Sequence, residues 1–288
     1  MNPMLLLAPA KLNLTLEVLS KRPNGFHGVR SLMLPVALFD ELKIERAPKF
    51  SFTCDDPSLS NAENLVVRAA HALALHGVHI HLCKRIPIQA GLGGGSSDAA
   101  ALLRAGIAGL FGRLPQRDWI AQARALGSDV PFFLADGAAL VEGSGERITA
   151  AGALPPWCAL IVKPPIAIST AQAYHRFDER AAASRPRKRS ASIDALTALG
   201  RGEFTELNAL LYNDFHDDAI AAYPEIERAA AAMERAGAPR ALLAGSGSSL
   251  FALLPTAQRA QEVAEQLDLP APYLRFTAAL LSGDSWRK

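Results

Sequence analysis

Residues 87 to 98 read Pro87-Ile88-Gln89-Ala90-Gly91-Leu92-Gly93-Gly94-Gly95-Ser96-Ser97-Asp98, and an Ala/Leu run follows at once. Glycine has no Cβ, so a ligand can approach the main chain closely and the chain can turn through positive φ. Ser96 or Ser97 is expected to cap the helix that the Ala/Leu run predicts, whose free N–H groups and positive dipole end favour an anion. Main-chain amides converging in this way suit a polyphosphate. The segment is not a Walker loop, which ends in Gly-Lys-Ser/Thr. Nor is it a dinucleotide fingerprint, because Ser96 stands where the last glycine belongs.

Two further segments carry polar groups in useful places. Ala8-Pro9-Ala10-Lys11-Leu12-Asn13-Leu14 sets Lys11 and Asn13 two apart, hence on one face of a strand. Gly245-Ser246-Gly247-Ser248 makes a second glycine turn near the other end. In this order the three segments resemble the three motifs of the galactokinase–homoserine kinase–mevalonate kinase–phosphomevalonate kinase (GHMP) superfamily, over residues 8–253. Gly25-Phe26-His27, Glu63-Asn64-Leu65-Val66, Gly127-Ser128-Asp129-Val130-Pro131-Phe132 and Asn213-Asp214-Phe215 are similar to the pattern of one branch. That branch acts on a cytidine-diphosphate-linked methylerythritol in non-mevalonate isoprenoid synthesis.

The resemblance implies ATP-dependent phosphorylation of an acceptor hydroxyl, the 2-OH of the methylerythritol moiety. It also implies an α+β fold of two domains. A ribosomal protein S5 domain 2-like domain over 1–153 would bind ATP, and a ferredoxin-like GHMP kinase C-terminal domain over 154–288 would bind the acceptor.

Phosphoryl transfer to an alcohol needs positioning, charge neutralisation and a destination for the hydroxyl proton. The resemblance implies catalytic roles for Asp129, as general base, and for Lys11, as the cation beside it. Asp129 lies in a Gly-x-Asp-x-Pro segment, where glycine and proline fix a short turn. The resemblance implies ATP contacts across residues 87–97, with Asn64 and Lys84 on the adenine side. The plainer roles are a helix cap for Asn64 and a solvated strand end for Lys84. Mg2+ is expected because it bridges phosphate oxygens and keeps few protein ligands, with Ser97 a contact to it or to its water shell. At the cytidine end, Phe26 and Tyr174 would stack on the base, and core packing is the alternative for each. His27 would hydrogen-bond the base edge, and Asn13, Gly245 and Ser246 would meet the substrate.

Alternating polarity predicts strands over 12–18 and 78–83, and further strands are expected over 31–36 and 41–45. Helical spacing predicts helices over 64–76, 97–110 and 118–126. A composition shift near residues 150–156 suggests a boundary. Beyond it, strands are expected over 158–162, 242–244, 250–253 and 274–277, and helices over 195–199, 204–211, 224–235 and 257–267. These elements imply an antiparallel sheet with helices on one face.

Half of the 288 residues are hydrophobic and the formal net charge is only +2, so no bulk attraction to nucleic acid or to an anionic membrane is expected. Cys54, Cys83 and Cys158 lack metal-ligand spacing, and His79 and His81 share a strand face without a third ligand nearby. The apolar opening at 4–7 is short and broken by Pro9, so a cytoplasmic, non-membrane protein acting on a small molecule is expected. The basic run Arg185-Pro186-Arg187-Lys188-Arg189 is most simply a solvated loop. Rival readings are a GHMP kinase of homoserine or mevalonate type and, in another class, an RNA-binding protein of S5-like fold.

Overall fold

The computed structural model of the protein describes residues 3–21, 25, 27–112, 118–181 and 190–283. The first half builds strands β1 (Met4–Asn13), β2 (Thr15–Lys21), β3 (His27–Arg46) and β4 (Ser51–Cys54), then helix α1 (Leu65–Ala72) and β5 (Val78–Cys83). Helices α2 (Gly94–Ile107), α3 (Trp119–Leu126) and α4 (Val130–Leu134) follow, before β6 (Ala139–Gly143) and β7 (Arg147–Ala150). The second half runs β8 (Cys158–Lys163), α5 (Thr170–Ala181), α6 (Ala191–Arg201), α7 (Phe204–Leu210), β9 (Tyr212–Asn213) and α8 (His216–Ala222). It closes with α9 (Pro224–Arg235), β10 (Leu242–Leu243), β11 (Leu250–Leu254), α10 (Ala257–Glu265) and β12 (Leu274–Ala279).

The expected strands at 31–36 and 41–45 are one twenty-residue strand, β3, which is the spine of an eight-stranded sheet. Its far half pairs with β1 and β5, and its near half with β2 and β6. The ladder with β1 slips between Pro9 and Ala10, where proline has no N–H to give. The expected strand at 12–18 is in turn broken at Leu14, where β1 ends and β2 begins. Helices α1 and α2 bury Val66, Ala69, Leu73, Ala99 and Leu103 against Leu42, Ile44, Ile80 and Leu82 of the sheet.

The second sheet is antiparallel in the order β10-β11-β8-β12. Leu160, Val162, Leu250 and Ala252 on one face meet Ile226 and Met233 of α9 and Val263 of α10. The other face is not free, contrary to the expectation of helices on one side only. Ile161, Phe251 and Leu253 pack on Leu12, Leu14, Leu32 and Leu34 of the first sheet and on Ala195, Leu199 and Leu207 of α6 and α7. The unbroken apolar run of β8 records this burial on both faces. Among the described residues no helix is long and apolar enough to cross a membrane, and no cluster of three or more metal-ligating side chains occurs. All three cysteines are unpaired. The basic run at 185–189 lies outside the described residues.

Candidate active site

Gln89, Gly91 and Gly93 all take positive φ in the loop between β5 and α2. At Gly91 a Cβ would stand 1.9 Å from the Ala244 carbonyl oxygen, so the first glycine loop presses directly on the second glycine turn. At Gly93 a Cβ would meet the Lys11 side chain at 2.9 Å. Main-chain bonds finish the join: Lys11 N–H donates to Leu92 O at 2.9 Å and Ser249 N–H to Ala90 O at 3.1 Å. Helix α2 begins at Gly94, capped by the left-handed Gly93, rather than at Ser97. Neither serine serves as its cap.

Lys11 is buried at the end of β1, and its Nζ lies 3.6 Å from Asp129 Oδ2. The same ammonium donates to Asn13 Oδ1 at 2.5 Å. Asn13 Nδ2 donates onward to Ser31 Oγ (2.7 Å), and the Ser31 hydroxyl to Thr15 O (2.6 Å). This chain of donors and acceptors fixes which way the Asn13 amide points and leaves the other ammonium protons for Asp129 and the cleft. Asp129 is the N-cap residue of α4, but its carboxylate makes no capping bond and stays one-third exposed. The second turn is held by Asn213, whose Nδ2 donates to Leu243 O and Gly245 O, both at 2.7 Å. A Cβ on Gly245 would lie 3.1 Å from Lys11 Nζ.

These groups line a cleft of about 1010 Å³, walled by Lys11, Asn13, Asp129, Gly91, Gly93 and the turn from Gly245 to Gly247. A second cleft of about 380 Å³ shares Gln89, Gly91 and Gly93 with it and is lined by Asn64, Leu65, Pro87, Ile88 and Ser96. One loop thus forms the partition between two spaces.

Several predicted contacts need correction. Ser97 is fully buried, its hydroxyl has no partner, and it lines neither cleft, whereas Ser96 lines the second and faces Gly127. Lys84 borders the second cleft, but its ammonium is neither free for adenine nor solvated. It is shared between Asp40 Oδ2 and Asp98 Oδ2, the latter at 3.0 Å. Burial alone would lower the Lys84 pKa, yet the Asp98 and Asp40 carboxylates raise it. Asn64 caps α1, its Oδ1 accepting from Val66 N–H at 2.9 Å, while also lining the second cleft. Asp40 and Asp98 carried no predicted role. An aspartate inside the apolar run of β3 was the available signal.

At the far end of the large cleft, His27 stacks on Tyr174 with ring centroids 5.7 Å apart, and Phe177 and Phe215 meet this pair edge-on. His27 lines this cleft, and both of its ring nitrogens are engaged, Nδ1 with Leu19 O and Nε2 with Asp178 Oδ1, both at 2.7 Å. Asp178 also accepts from Lys21 Nζ at 2.8 Å. Burial, then the negative charge of Asp129, pushes the Tyr174 phenol up to about 12, so it presents a neutral ring to the cleft. Ser246 Oγ lies 3.0 Å from Thr170 Oγ1 at the start of α5. Phe26 lies outside the described residues.

Residues 64–137 match the description GHMP kinases N terminal domain, and residues 195–271 match GHMP kinases C terminal. A solved structure of homoserine kinase from Cytophaga hutchinsonii superposes with a TM-score of 0.71 over 98% of this chain and 96% of that one, at 18% identity, which shows the shared fold. Fold, loop and matched domains define an ATP-dependent small-molecule kinase of the GHMP class. A protein of Symbiobacterium thermophilum named 4-diphosphocytidyl-2-C-methyl-D-erythritol kinase is 38% identical over 90% of this chain and 93% of its own length. A Deinococcus radiodurans protein of the same name is 39% identical over 94% and 91%. A crystal structure of 4-(cytidine 5'-diphospho)-2C-methyl-D-erythritol kinase superposes with a TM-score of 0.80 at 35% identity, covering 97% of this chain and all of that one. The chain belongs to the 4-diphosphocytidyl-2-C-methyl-D-erythritol kinase family.

Proposed function

We propose that this chain transfers the γ-phosphoryl group of ATP to the 2-hydroxyl of 4-diphosphocytidyl-2-C-methyl-D-erythritol, a step of non-mevalonate isoprenoid synthesis. The observation that carries the reading is the buried Lys11 ammonium, 3.6 Å from Asp129 Oδ2, behind the glycine loop. In this reading the triphosphate lies along the main-chain amides of residues 91–96, since the Ser97 N–H donates to Gly93 O, with its terminal phosphate toward Lys11. The acceptor oxygen bonds to the γ-phosphorus, the bond from that phosphorus to the ADP oxygen breaks, and the hydroxyl proton passes to Asp129. Lys11 offsets the charge on the transferring group, and Asn13 keeps its ammonium aimed.

The partition suits this division of labour, with adenosine on the side of Asn64 and the acceptor on the side of Tyr174. The aromatic cluster around Tyr174 favours an acceptor that carries a base over mevalonate or homoserine, because a nucleobase stacks on such rings. Magnesium fits the oxygens present: the Ser96 hydroxyl borders the second cleft and would hold the ion or its water shell, which leaves the Asp129 carboxylate to take the proton. When bound, it supplies neutralisation of the phosphate charge.

A coupled ADP-release assay with the cytidine-diphosphate acceptor, mevalonate and homoserine tests the reading. Turnover with the first alone is expected, and turnover with either of the others alone refutes it. Asp129→Asn is expected to keep the fold and lose at least about a hundredfold in kcat, the lower end for acid–base catalysis. Near-normal turnover would remove the base assignment.

A further inference from the structure

The Asp129 turn has a neighbour with no assigned role. The hairpin between β6 and β7 turns through Gly143, Ser144 and Gly145, which line the large cleft beside Ser128 and Asp129. Gly145 has φ +92°, and a Cβ there would lie 2.3 Å from the Ser128 carbonyl oxygen. That oxygen belongs to the peptide joining Ser128 to Asp129, so the hairpin rests on the bond that aims the Asp129 carboxylate. Within its own turn, Val130 N–H donates to Gly127 O at 3.2 Å, and the Asp129 side chain adds no cap bond. The hairpin turn is itself fixed by the Ser144 N–H donating to Glu146 Oε2.

We propose that Gly145 is a positioning residue for phosphoryl transfer: its bare Cα seats the hairpin on the Ser128 carbonyl and sets the direction of the Asp129 carboxylate. The inference rests on the reading of Asp129 as the proton acceptor. A methyl group at residue 145 cannot be absorbed by a flexible side chain, because the atom it meets is main chain. The Asp129 turn must move instead, and a small misplacement of a reacting group has large consequences for rate. The nucleotide loop meets the Asp129 turn only at its edge, where Ser96 faces Gly127, so ATP binding is expected to change far less than turnover.

The test compares Gly145→Ala with Gly152→Ala. Both positions have left-handed backbone, at +92° and +84°, but a Cβ on Gly152 meets nothing within 4 Å. Gly145→Ala is expected to lower kcat about tenfold or more while KM for ATP stays within about twofold, and Gly152→Ala to leave both within about twofold. In a double-mutant cycle, Gly145→Ala added to Asp129→Asn is expected to cost less than about twofold further, since two changes acting through one group do not add. If Gly145→Ala does not fold, Glu146→Ala loosens the same turn without added bulk. It is expected to lower kcat several-fold with the same dependence on Asp129. A Gly145→Ala kcat within twofold of wild type overturns the proposal, as does a loss repeated in full on the Asp129→Asn background. Near-normal turnover of Asp129→Asn alone would instead overturn the base assignment, and this inference with it.

Discussion

Asp98 is the fifth residue of α2, fully buried, with one oxygen on Lys84 and the other without a partner. Burial, together with the Asp40 charge nearby, holds its carboxyl well above the ordinary carboxylate range even though Lys84 pulls the other way. Asp40 accepts from Arg85 N–H and Ile86 N–H at 2.6 and 2.8 Å besides the Lys84 ammonium, so Lys84 is shared between an aspartate with several donors and one with a single donor. The sign of the pH effect follows. A carboxyl whose folded pKa is raised contributes stability that is present below the ordinary value and is lost as pH rises toward the raised one. Asp98→Asn keeps the neutral form at every pH. Its Tm, relative to wild type, is therefore expected to climb between pH 5 and 9, and parallel curves in thermal melts would disprove the assignment. Ser96 and Ser97 show why such details escaped the sequence. Two adjacent hydroxyls point about 100° apart on a helix, so which one faces the cleft depends on where the helix starts. The start is set by the left-handed Gly93, three residues earlier than the serines suggested. Ser97→Ala is expected to leave turnover unchanged and to be neutral or stabilising by up to about 1 kcal/mol, since it removes an unpaired buried hydroxyl. Ser96→Ala is expected to raise the KM for magnesium-ATP. The reverse ranking in steady-state assays would return the ion contact to Ser97.

At the scale of elements, the glycine loop does two jobs that can be separated. Gly91 is needed by the fold: its φ of +76° and the Ala244 carbonyl beneath it leave no room for a side chain. Gly91→Ala is expected to destabilise by about 2–4 kcal/mol, from left-handed strain plus displacement of the second glycine turn. Gly95 lies inside helix α2, and a Cβ there meets only Leu65 Cδ1, at 3.9 Å. Gly95→Ala is expected to stabilise the helix by up to about 1 kcal/mol. If phosphate approaches the main chain there, the same change raises the KM for ATP. A Gly95→Ala enzyme with unaltered KM would mean that the loop is structural at that point and binds nothing. Short-range patterns made much of this legible. Alternation marked β5, Pro224 marked the start of α9, and the helix expected over 118–126 is α3, with Asp118 as its N-cap. The merging of two expected strands into β3 was not legible, because it depends on three partners far away in sequence. The Lys84 triad was hidden for a related reason: its carboxylates lie 44 and 14 residues away.

Across the whole molecule, the site lies where two sheets share one core. Dividing the chain between residues 153 and 154, as we propose, separates the sheets but leaves β9 pairing in parallel with β2 across the division. Leu12 and Leu14, flanking Asn13, pack in the same cluster as Ile161, Phe251 and Leu253. The strand that carries Lys11 is therefore held by the second half as much as by the first. Thermodynamically, such a core should couple the halves into a single transition. Two tryptophans report on the question separately. Trp119 packs against the core of the first sheet, and Trp157 is buried in the shared core, edge-on to Phe204 at 5.1 Å. Variants that keep only Trp119 or only Trp157, with Trp286 replaced in both, are expected to unfold in urea with one midpoint by fluorescence. Phe251→Ala, made at a site with no solvent exposure, is expected to lower both midpoints together by an amount equivalent to about 3–5 kcal/mol. A Phe251→Ala protein in which the Trp157 signal falls early while Trp119 holds would mean that the halves are independent. The seating of Lys11 against Asp129 would then depend on the first half alone.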